Sequence, residues 1–497
     1  MAADDLLFLL TVLAGTLMIS YWSARSRHDT DRFYAASRGL TGVQNGLAIS
    51  GDFISAASFL GVSSTVARWG FDGFLYGASF FASYLLLWTV AESVHRLGRY
   101  TLADALDSHF RRSWLRFATA VNTLIISVAY LIPQLVAAGE LAQSLLGWPR
   151  TWAVWWIGLL MTLYVAVGGM VSTSWVQIVK SVLLLSTAAL MALIVGARTG
   201  WNPAHLWRAA VAPDGGALLA PGRLYDTAWA SLSVNVPLVL GTMGMPHILV
   251  RFLTVRGPTE VRRSLTTATS ALGLFYLLVL VLGFAAAAFG ASGASAGSDG
   301  SLAVIVLARR LGGPFLAAFV SAVAFATVLA VVTGLLITAT GALAHDLLHR
   351  TFAWPPGDHR DPLTLARVCA VLLGLVATMA ALLVHGPSIT ALVSLVFVWA
   401  AATNVPVLLC TFYWRRFTAA GALAGMASGA GVTAGWLLLH ACAKAGGVSP
   451  GLWAIGAGAA GCLAGSLLWP GRSHAQPERE PQADAAKPYP TPPVGDG

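Results

Sequence analysis

Long apolar segments recur along almost the whole chain. Only 10% of its 497 residues are charged and 57% are hydrophobic, whereas a soluble domain carries roughly 25% charged residues. About thirteen windows contain the roughly 20 apolar residues that a helix needs to cross a bilayer. They lie near 5–23, 42–67, 72–94, 116–146, 151–170, 174–197, 227–253, 265–292, 313–343, 364–385, 388–413, 417–442 and 450–469. We therefore predict an all-α, polytopic membrane protein with about 13 transmembrane helices.

The second window has an unusual composition for a simple anchor. Segment 42–61 is apolar enough to enter a bilayer, yet it contains Asn45 and Asp52. A mid-membrane aspartate costs roughly 2.5–3.5 kcal/mol, so it persists only against protein or a wet cavity. Gly46 and Gly51 weaken the helix around it. A helix broken at mid-membrane exposes backbone groups that bind ions, so this segment predicts half of a transport site.

A second interrupted span supplies the other half. Segment 232–253 is largely apolar but contains seven residues that are polar or that interrupt helices. They are Asn235, Pro237, Gly241, Thr242, Gly244, Pro246 and His247. Paired broken helices indicate a substrate site at the interface of two repeats. The two segments lie five spans apart, as a five-plus-five inverted repeat requires.

The net charge of +9 follows the predicted topology. Basic residues concentrate in alternate loops: Arg25, Arg27, Arg32, Arg38, Arg96, Arg99, Arg111, Arg112, Arg256, Arg262, Arg263, Arg350, Arg360, Arg415 and Arg416. The positive-inside rule then places the N-terminus outside and the C-terminus in the cytoplasm of a cell-membrane protein. We expect no nucleic-acid partner. Residues 471–497 are rich in Pro, Glu, Ala and Asp and predict a disordered cytoplasmic tail.

Enzyme signatures are weak. The eleven histidines form no HExxH pattern, no Walker-type loop is found, and no nucleophile–base arrangement stands out. Four cysteines lie in or beside apolar spans at spacings that do not suggest metal ligands: Cys369, Cys410, Cys442 and Cys462. We expect a protein that is not an enzyme, has no cofactor and needs no obligate protein partner.

Several long motifs occur in a characteristic order. They are DRFYAASRGLTGVQNGLAISGDFISAASFLG at 31–61, LGRYTLADAL at 97–106, GGMVSTSWVQIVK at 168–180, GTMGMPHILVRFLTV at 241–255, FVSAVAFATVLAVVTGL at 319–335, AHDL at 344–347 and AATNVPVLLCTFYW at 401–414. On these motifs the chain, from about Asp31 to Gly425, resembles the sodium:solute symporter family, and within it the cation/acetate symporter branch.

The resemblance implies a LeuT-like core of ten helices in two inverted repeats, at about 42–413, inside a single transmembrane domain at 1–470. It implies a secondary active symporter that imports a small monocarboxylate such as acetate across the lipid bilayer, coupled to Na⁺ or H⁺ influx by alternating access. Two alternatives stay open. One is a symporter of the same family for another solute, such as proline or pantothenate, and the other is a solute sensor that does not transport.

The resemblance also implies the position of a sodium site. Gly51 and Ile54 fall at the backbone-carbonyl positions of the first core helix, and Thr327, Ala330 and Val331 fall on the partner helix. The family's usual pair of hydroxyl ligands is replaced here by Ala330 and Val331, which supply none.

The sequence therefore leaves the identity of the coupling ion open. Thr327, Thr333 or Ser55 would have to supply the missing sodium ligands, or Asp52 would carry a proton. A buried carboxylate can hold Na⁺ directly or take up a proton, because desolvation disfavours its charged form. Alternatively, Asp52 has a structural role and caps the helix at the break by accepting hydrogen bonds from nearby backbone amides.

Candidate substrate residues surround the two predicted breaks: Phe53, Ser55, Gln134, Gly241, Thr242, Met243, Gly244 and His247. Free amides in 241–247 would receive a carboxylate, unless this span is merely kinked. We expect Phe53, Met243 and Met245 to form an apolar pocket for a methyl group.

Other polar residues in the spans have two interpretations each. His247 would bind substrate or relay a proton, or serve as a hydrogen-bonded structural histidine. Gln134 and Tyr130 share one helix face and would line the cavity or bond between helices. Arg251 would neutralise an organic anion or extend towards the membrane interface, and Lys180 would take part in gating or extend to the interface; for both residues we expect the extended position.

Overall fold

Helices make up all the regular structure that is described. The computed structural model describes Gly15, Met18, Tyr34 and residues 36–55, 57–212, 216–291, 302–352, 362–384, 389–443 and 449–470. Among these residues strand-like pairing is limited to one isolated bridge between Leu40 and Val255. Of the first predicted span at 5–23 only Gly15 and Met18 are described, and the tail at 471–497 lies outside the described residues.

The helices follow one another in chain order. They are α1 (Gly42–Phe53), α2 (Ser63–Trp69), α3 (Phe71–Leu97), α4 (Leu102–Phe110), α5 (Ser113–Leu146), α6 (Arg150–Arg198), α7 (Pro203–Val211), α8 (Ala228–Gly244), α9 (Pro246–Leu249), α10 (Pro258–Ala288), α11 (Ala303–Thr340), α12 (Pro362–Leu383), α13 (Ile389–Tyr413), α14 (Ala419–Ala443) and α15 (Gly451–Leu468). A π-helical turn at Ala57–Val62 leads into α2, and a 3₁₀ segment at Val250–Thr254 follows α9.

The described residues contain nine helices long and apolar enough to cross a membrane, or up to eleven if each of two bent pairs counts as one span. The prediction of an all-α polytopic protein is confirmed. The predicted span at 151–170 forms the first half of α6, which bends at Gly169, where φ is 60°. That half is helical, although it is not among the eleven.

Both predicted breaks are present. The first span bends by 63° between Gly42–Phe53 and Ser58–Trp69, and the second bends by 42° between Ala228–Gly244 and Pro246–Thr254. Ile54 leaves the helical conformation at ψ 101°, and Met245 does so at ψ 115°. Pro246 follows the second break, where a residue without an N–H is well suited to start a new helix.

Helix α6 lies between α1 and α11, the two helices that carry the predicted cation ligands. It packs against α1 and against α11, while α8 packs against α3 and α13. The approach of α1 to α6 is close, because a side chain at Gly51 would collide with the backbone carbonyl of Gln177. Glycine at this position therefore lets the end of α1 reach polar groups on α6.

Candidate functional site

Asp52 lies at the end of α1 and is 1% exposed. One of its carboxylate oxygens accepts a hydrogen bond from Gln177 Nε2 at 2.6 Å. The other accepts a hydrogen bond from Arg251 Nε and forms an ion pair with that side chain. Both oxygens of Asp52 are therefore bonded to protein donors.

Arg251 belongs to the 3₁₀ segment after the second break and is also 1% exposed. Its Nη1 donates to Ser174 Oγ at 2.6 Å, and its backbone carbonyl accepts from Asn45 Nδ2 at 3.1 Å. The expectation that Arg251 extends to the interface is wrong. Asp52 and Ser174 offer this guanidinium a charge partner and an acceptor inside the protein, which offsets the cost of burying it.

Lys180 on α6 is 4% exposed, so the expectation that it extends to the interface is wrong as well. Its Nζ donates to the Gly51 carbonyl at 2.5 Å and lies 3.5 Å from Gln177 Oε1. Gln177 Nε2 also donates to the Ala330 carbonyl at 2.6 Å. Two side chains one turn apart on α6 therefore connect the end of α1 to α11.

The charges at this place do not balance. Asp52 contributes one negative charge, while Arg251 and Lys180 contribute two positive charges when all three are ionised. Arg251 Nη2 is buried and has no hydrogen-bond partner among the described residues. A buried charge without a full set of partners is costly, so the site favours a further anionic or acceptor group.

The predicted cation residues come together only in part. Gly51 and Ala330 meet around Gln177 and Lys180. The Ala330 carbonyl also accepts from Thr333 Oγ1 at 2.6 Å, and Thr327 Oγ1 donates to the Val323 carbonyl at 2.8 Å. Ile54 is the first residue beyond α1, and Val331 is buried on α11. Their role as cation ligands stays a prediction.

Aromatic rings connect the two breaks. Phe53 lies 6.4 Å from Phe397, Phe397 lies 5.9 Å from Tyr130, and Tyr130 lies 5.5 Å from His247, measured between ring centroids. Gln134, one turn beyond Tyr130, is fully buried. Both of its amide atoms, and Nδ1 of His247, have no hydrogen-bond partner among the described residues. Of the predicted substrate residues, Phe53 and His247 therefore belong to one aromatic set, and Gln134 lies one helical turn from Tyr130 of that set.

The glycines of the second break allow close packing between helices α8 and α13. A Cβ on Gly241 would lie 2.6 Å from the Phe397 carbonyl oxygen, and one on Gly244 would lie 2.5 Å from that of Ala400. The Gly244 carbonyl accepts from Asn404 Nδ2 at 2.7 Å. These glycines therefore let α8 approach α13, whether or not they also contact substrate.

Three further candidates occupy different settings. Thr242 Oγ1 is buried without a hydrogen-bond partner in the described part of the chain. The sulfur of Met243 accepts from Thr89 at 3.4 Å, while Met245 is fully buried. At the first break the Ser55 backbone amide donates to Ser58 Oγ at 2.7 Å, which satisfies a donor that the broken helix leaves free.

Three residues that bond Asp52 and Gly51 were left out of the predicted site: Gln177, Lys180 and Arg251. The sequence contains a spacing pattern that points to two of them, Gln177 and Lys180. Ser174, Gln177 and Lys180 recur every third residue in an apolar helix, which places them near one face. Arg251 carried no comparable pattern, because its nearest polar partners lie on other helices.

A second charged cluster lies between α4, α5 and the π-helical segment Gly341–Thr351 that follows α11. Arg116 Nη1 lies 2.8 Å from Asp104 Oδ1, and Arg116 Nη2 lies 2.7 Å from Asp107 Oδ2. Thr101 donates to Asp346 Oδ1 at 3.0 Å, and His345 Nε2 lies 3.5 Å from Asp104 Oδ2.

The Asp104, His345 and Asp346 ligand atoms lie within 4.8 Å of one another. The Arg116 guanidinium already bonds Asp104, so the arrangement fits an ion-pair network better than a metal centre. Burial raises the pKa of Asp104, but the nearby side chains of His345 and Arg116 outweigh it and lower the pKa overall.

Two broken helices that meet at a buried, charged centre in an all-helical bundle define a secondary transporter of the LeuT-like class. Solved structures share this fold. A Na⁺-coupled sialic acid symporter in a substrate-bound outward-open state superposes with a TM-score of 0.75 at 14% identity, covering 95% of this chain and 99% of that chain. Mhp1, a nucleobase-cation-symport-1 family transporter, superposes with a TM-score of 0.53 at 16% identity, covering 89% of this chain and 94% of that chain. The manganese transporter of Eremococcus coleocola gives a TM-score of 0.51 at 16% identity, covering 89% and 96%.

Residues 33–429 match the sodium:solute symporter family, and the chain belongs to that family. A relative from Bacillus subtilis (strain 168), the uncharacterized symporter YwcA, is 43% identical over 428 residues, which cover 85% of this chain and 83% of that protein. The LeuT-like fold expected from the sequence is confirmed. Family and fold support Na⁺-coupled solute symport by a multi-pass membrane protein, a class of transporters that are generally not enzymes.

Proposed function

We propose that this protein imports a small monocarboxylate such as acetate, coupled to the influx of Na⁺ or H⁺. The observation that carries the proposal is the excess of one positive charge among the buried residues Asp52, Arg251 and Lys180. Nη2 of Arg251, which has no hydrogen-bond partner among the described residues, adds to it. A substrate with a single negative charge would balance this site. A neutral or cationic solute would leave the excess charge uncompensated.

Arg251 is the group best suited to hold the carboxylate. A guanidinium presents several N–H donors in a rigid fork that matches a carboxylate, and such charge-assisted bonds are about twice as strong as neutral ones. Two sides of the Arg251 fork already bond Asp52 and Ser174. The remaining Nη2 is the donor left for substrate, and the Gln134 amide and Nδ1 of His247 are further polar groups without a hydrogen-bond partner among the described residues.

A small substrate suits the buried surroundings. Phe53, Met243 and Met245 are each at most 4% exposed, and we propose that they receive the methyl group of acetate. Bending at Ile54 and at Met245 would open the site to one side at a time. Residues 1–470 would form one transmembrane domain, with the N-terminus outside and the C-terminus in the cytoplasm.

The test is uptake of radiolabelled acetate into proteoliposomes of purified protein, under an imposed Na⁺ gradient or, separately, an imposed pH gradient. We expect accumulation under at least one gradient. Excess unlabelled acetate should compete, while proline and pantothenate should not. Competition only by proline or pantothenate would indicate another solute of the same family. Saturable acetate binding without uptake under either gradient would indicate a sensor.

A matched pair of variants tests the role of Arg251. Arg251→Gln removes the proposed carboxylate donor, so acetate accumulation should be lost. Arg262→Gln makes the same change on α10, where the side chain is 65% exposed and pairs with Glu92. It should retain uptake. Normal accumulation by Arg251→Gln would overturn the assignment of this residue as the carboxylate anchor.

A further inference from the structure

We propose that the ammonium group of Lys180 is a tethered cation that occupies the place where the resemblance to sodium symporters puts Na⁺. The inference deepens the proposed cation-coupled symport and rests on it. The Gly51 carbonyl, the first predicted sodium ligand, accepts the Lys180 Nζ hydrogen bond at 2.5 Å. An ammonium is a compact point charge with three donors, so it can replace a bound monovalent cation at a carbonyl oxygen.

Two further oxygen-bearing groups of the predicted sodium site are already bonded within the protein. The Ala330 carbonyl accepts from Gln177 Nε2 and from Thr333 Oγ1, each at 2.6 Å. The side chains of Ala330 and Val331 carry no oxygen. Asp52, the nearby carboxylate, has one oxygen bonded to Gln177 and the other to Arg251. Ala330 and Asp52, like Gly51, are therefore already bonded to donors within the protein.

The positive charge of Lys180 also disfavours Na⁺ at this position. Two like unit charges about 4 Å apart near a protein surface repel strongly enough to weaken binding on the order of a thousandfold. A sodium ion at the Gly51 carbonyl would face Lys180 at close range, and the adjacent carboxylate of Asp52 is already paired with Arg251. Any Na⁺ that drives transport in this protein must therefore bind elsewhere.

Removing the ammonium should create the sodium site that it replaces. Lys180→Ala leaves Asp52 and Arg251 as a balanced pair and frees the Gly51 carbonyl. Adding Ala330→Ser and Val331→Ser restores the two hydroxyl groups that the resemblance implies for sodium coordination. The same two serines in a protein that keeps Lys180 provide a matched control, because the oxygens are added while the ammonium stays.

The experiment counts bound ²²Na⁺ per molecule of purified full-length protein in nanodiscs, with saturating unlabelled Na⁺ as the blank. We expect wild type and the double serine control to bind the same number of ions. Lys180→Ala with both serines should bind one more, and Lys180→Ala alone should show the same gain with weaker affinity. Monodisperse gel filtration confirms folding of each variant, and Lys180→Ser is used if the alanine variant fails.

An equal count in all folded variants would overturn the inference, as would a gain of one ion in the double serine control. Sodium counting needs no transported solute, so its outcome is independent of acetate uptake. If acetate is not transported but the count rises on removal of Lys180, the proposed substrate fails while the tethered cation stands. If acetate is transported and the count is unchanged, the reverse holds.

Discussion

Asp52 and Arg251 form a buried ion pair between residues 199 positions apart, and each side chain is 1% exposed. Asp52 ends the first half of one broken helix, and Arg251 follows the break in the other. The pair therefore joins the two half-sites directly. A buried pair contributes little net stability, but removing one partner is strongly destabilising because it leaves an unpaired charge. Its position suits a contact that fixes the relative placement of the two breaks.

Asp52→Asn should abolish acetate uptake while the protein is still expressed. The change leaves Arg251 and Lys180 without a counter-charge, and we expect the free energy of unfolding to fall by about 3–5 kcal/mol. Thermal melting of the purified protein measures this loss. The double variant Asp52→Asn with Arg251→Gln should recover part of the stability but no uptake. Equal stability of the single and double variants would contradict the pairing argument.

Gly334→Ala should impair transport because its new methyl group would collide with Asp52 Oδ1. That oxygen is held by Gln177, so it has little freedom to move. The matched change Gly435→Ala lies within α14, where a Cβ meets nothing within 4 Å. It should leave uptake intact and stabilise the helix by roughly 0.5–1 kcal/mol. Initial uptake rates and melting temperatures of the two variants provide the comparison, and equal rates would refute the predicted collision.

Gln134→Leu should raise the KM for acetate roughly tenfold without lowering the melting temperature. Both amide atoms are buried without protein partners, so their removal costs no hydrogen bond within the described structure. Asn122→Leu is the control on the same helix. Asn122 donates to Asn404 at 2.7 Å and accepts from Trp399 at 2.9 Å, so its loss should lower the melting temperature. A destabilised Gln134→Leu protein with normal KM would favour the inter-helix interpretation.

Asp104 should stabilise the fold in a pH-dependent manner. Its pKa is lowered in the folded protein despite burial, because His345 and Arg116 favour the charged carboxylate. Its contribution is therefore present above the unfolded pKa of about 3.9 and is lost as the pH falls through the lower folded value. Asp104→Asn should melt earlier than wild type at pH 7, and the difference should shrink below about pH 4. A difference that grows on acidification would reverse the sign of this argument.

Local sequence patterns predicted the membrane class and both broken helices, because each depends on local composition. A run of roughly 20 apolar residues predicts a span wherever it occurs. Glycine and proline disturb helices by their own backbone properties, as they do before Ile54 and around Met245. The motif order also indicated the family, which the match over residues 33–429 confirms.

The partners of the buried charged residues could not be predicted from local sequence patterns. Lys180 and Arg251 each lie in an apolar segment, where a long side chain commonly reaches the interface. Nothing in the flanking residues shows that α1 carries the Gly51 carbonyl and the Asp52 carboxylate to within hydrogen-bond distance of them. That proximity depends on how α1, α6 and the segment after α9 pack.

The sequence by itself determined that this protein is a helical membrane protein with two interrupted spans, since hydropathy, glycine and proline act within a few residues of themselves. Only the tertiary structure decided that Asp52 pairs with Arg251 and that Lys180 bonds Gly51. These contacts join residues 199 and 129 positions apart. Their energy depends on distance and burial in space, which a linear order of residues does not specify.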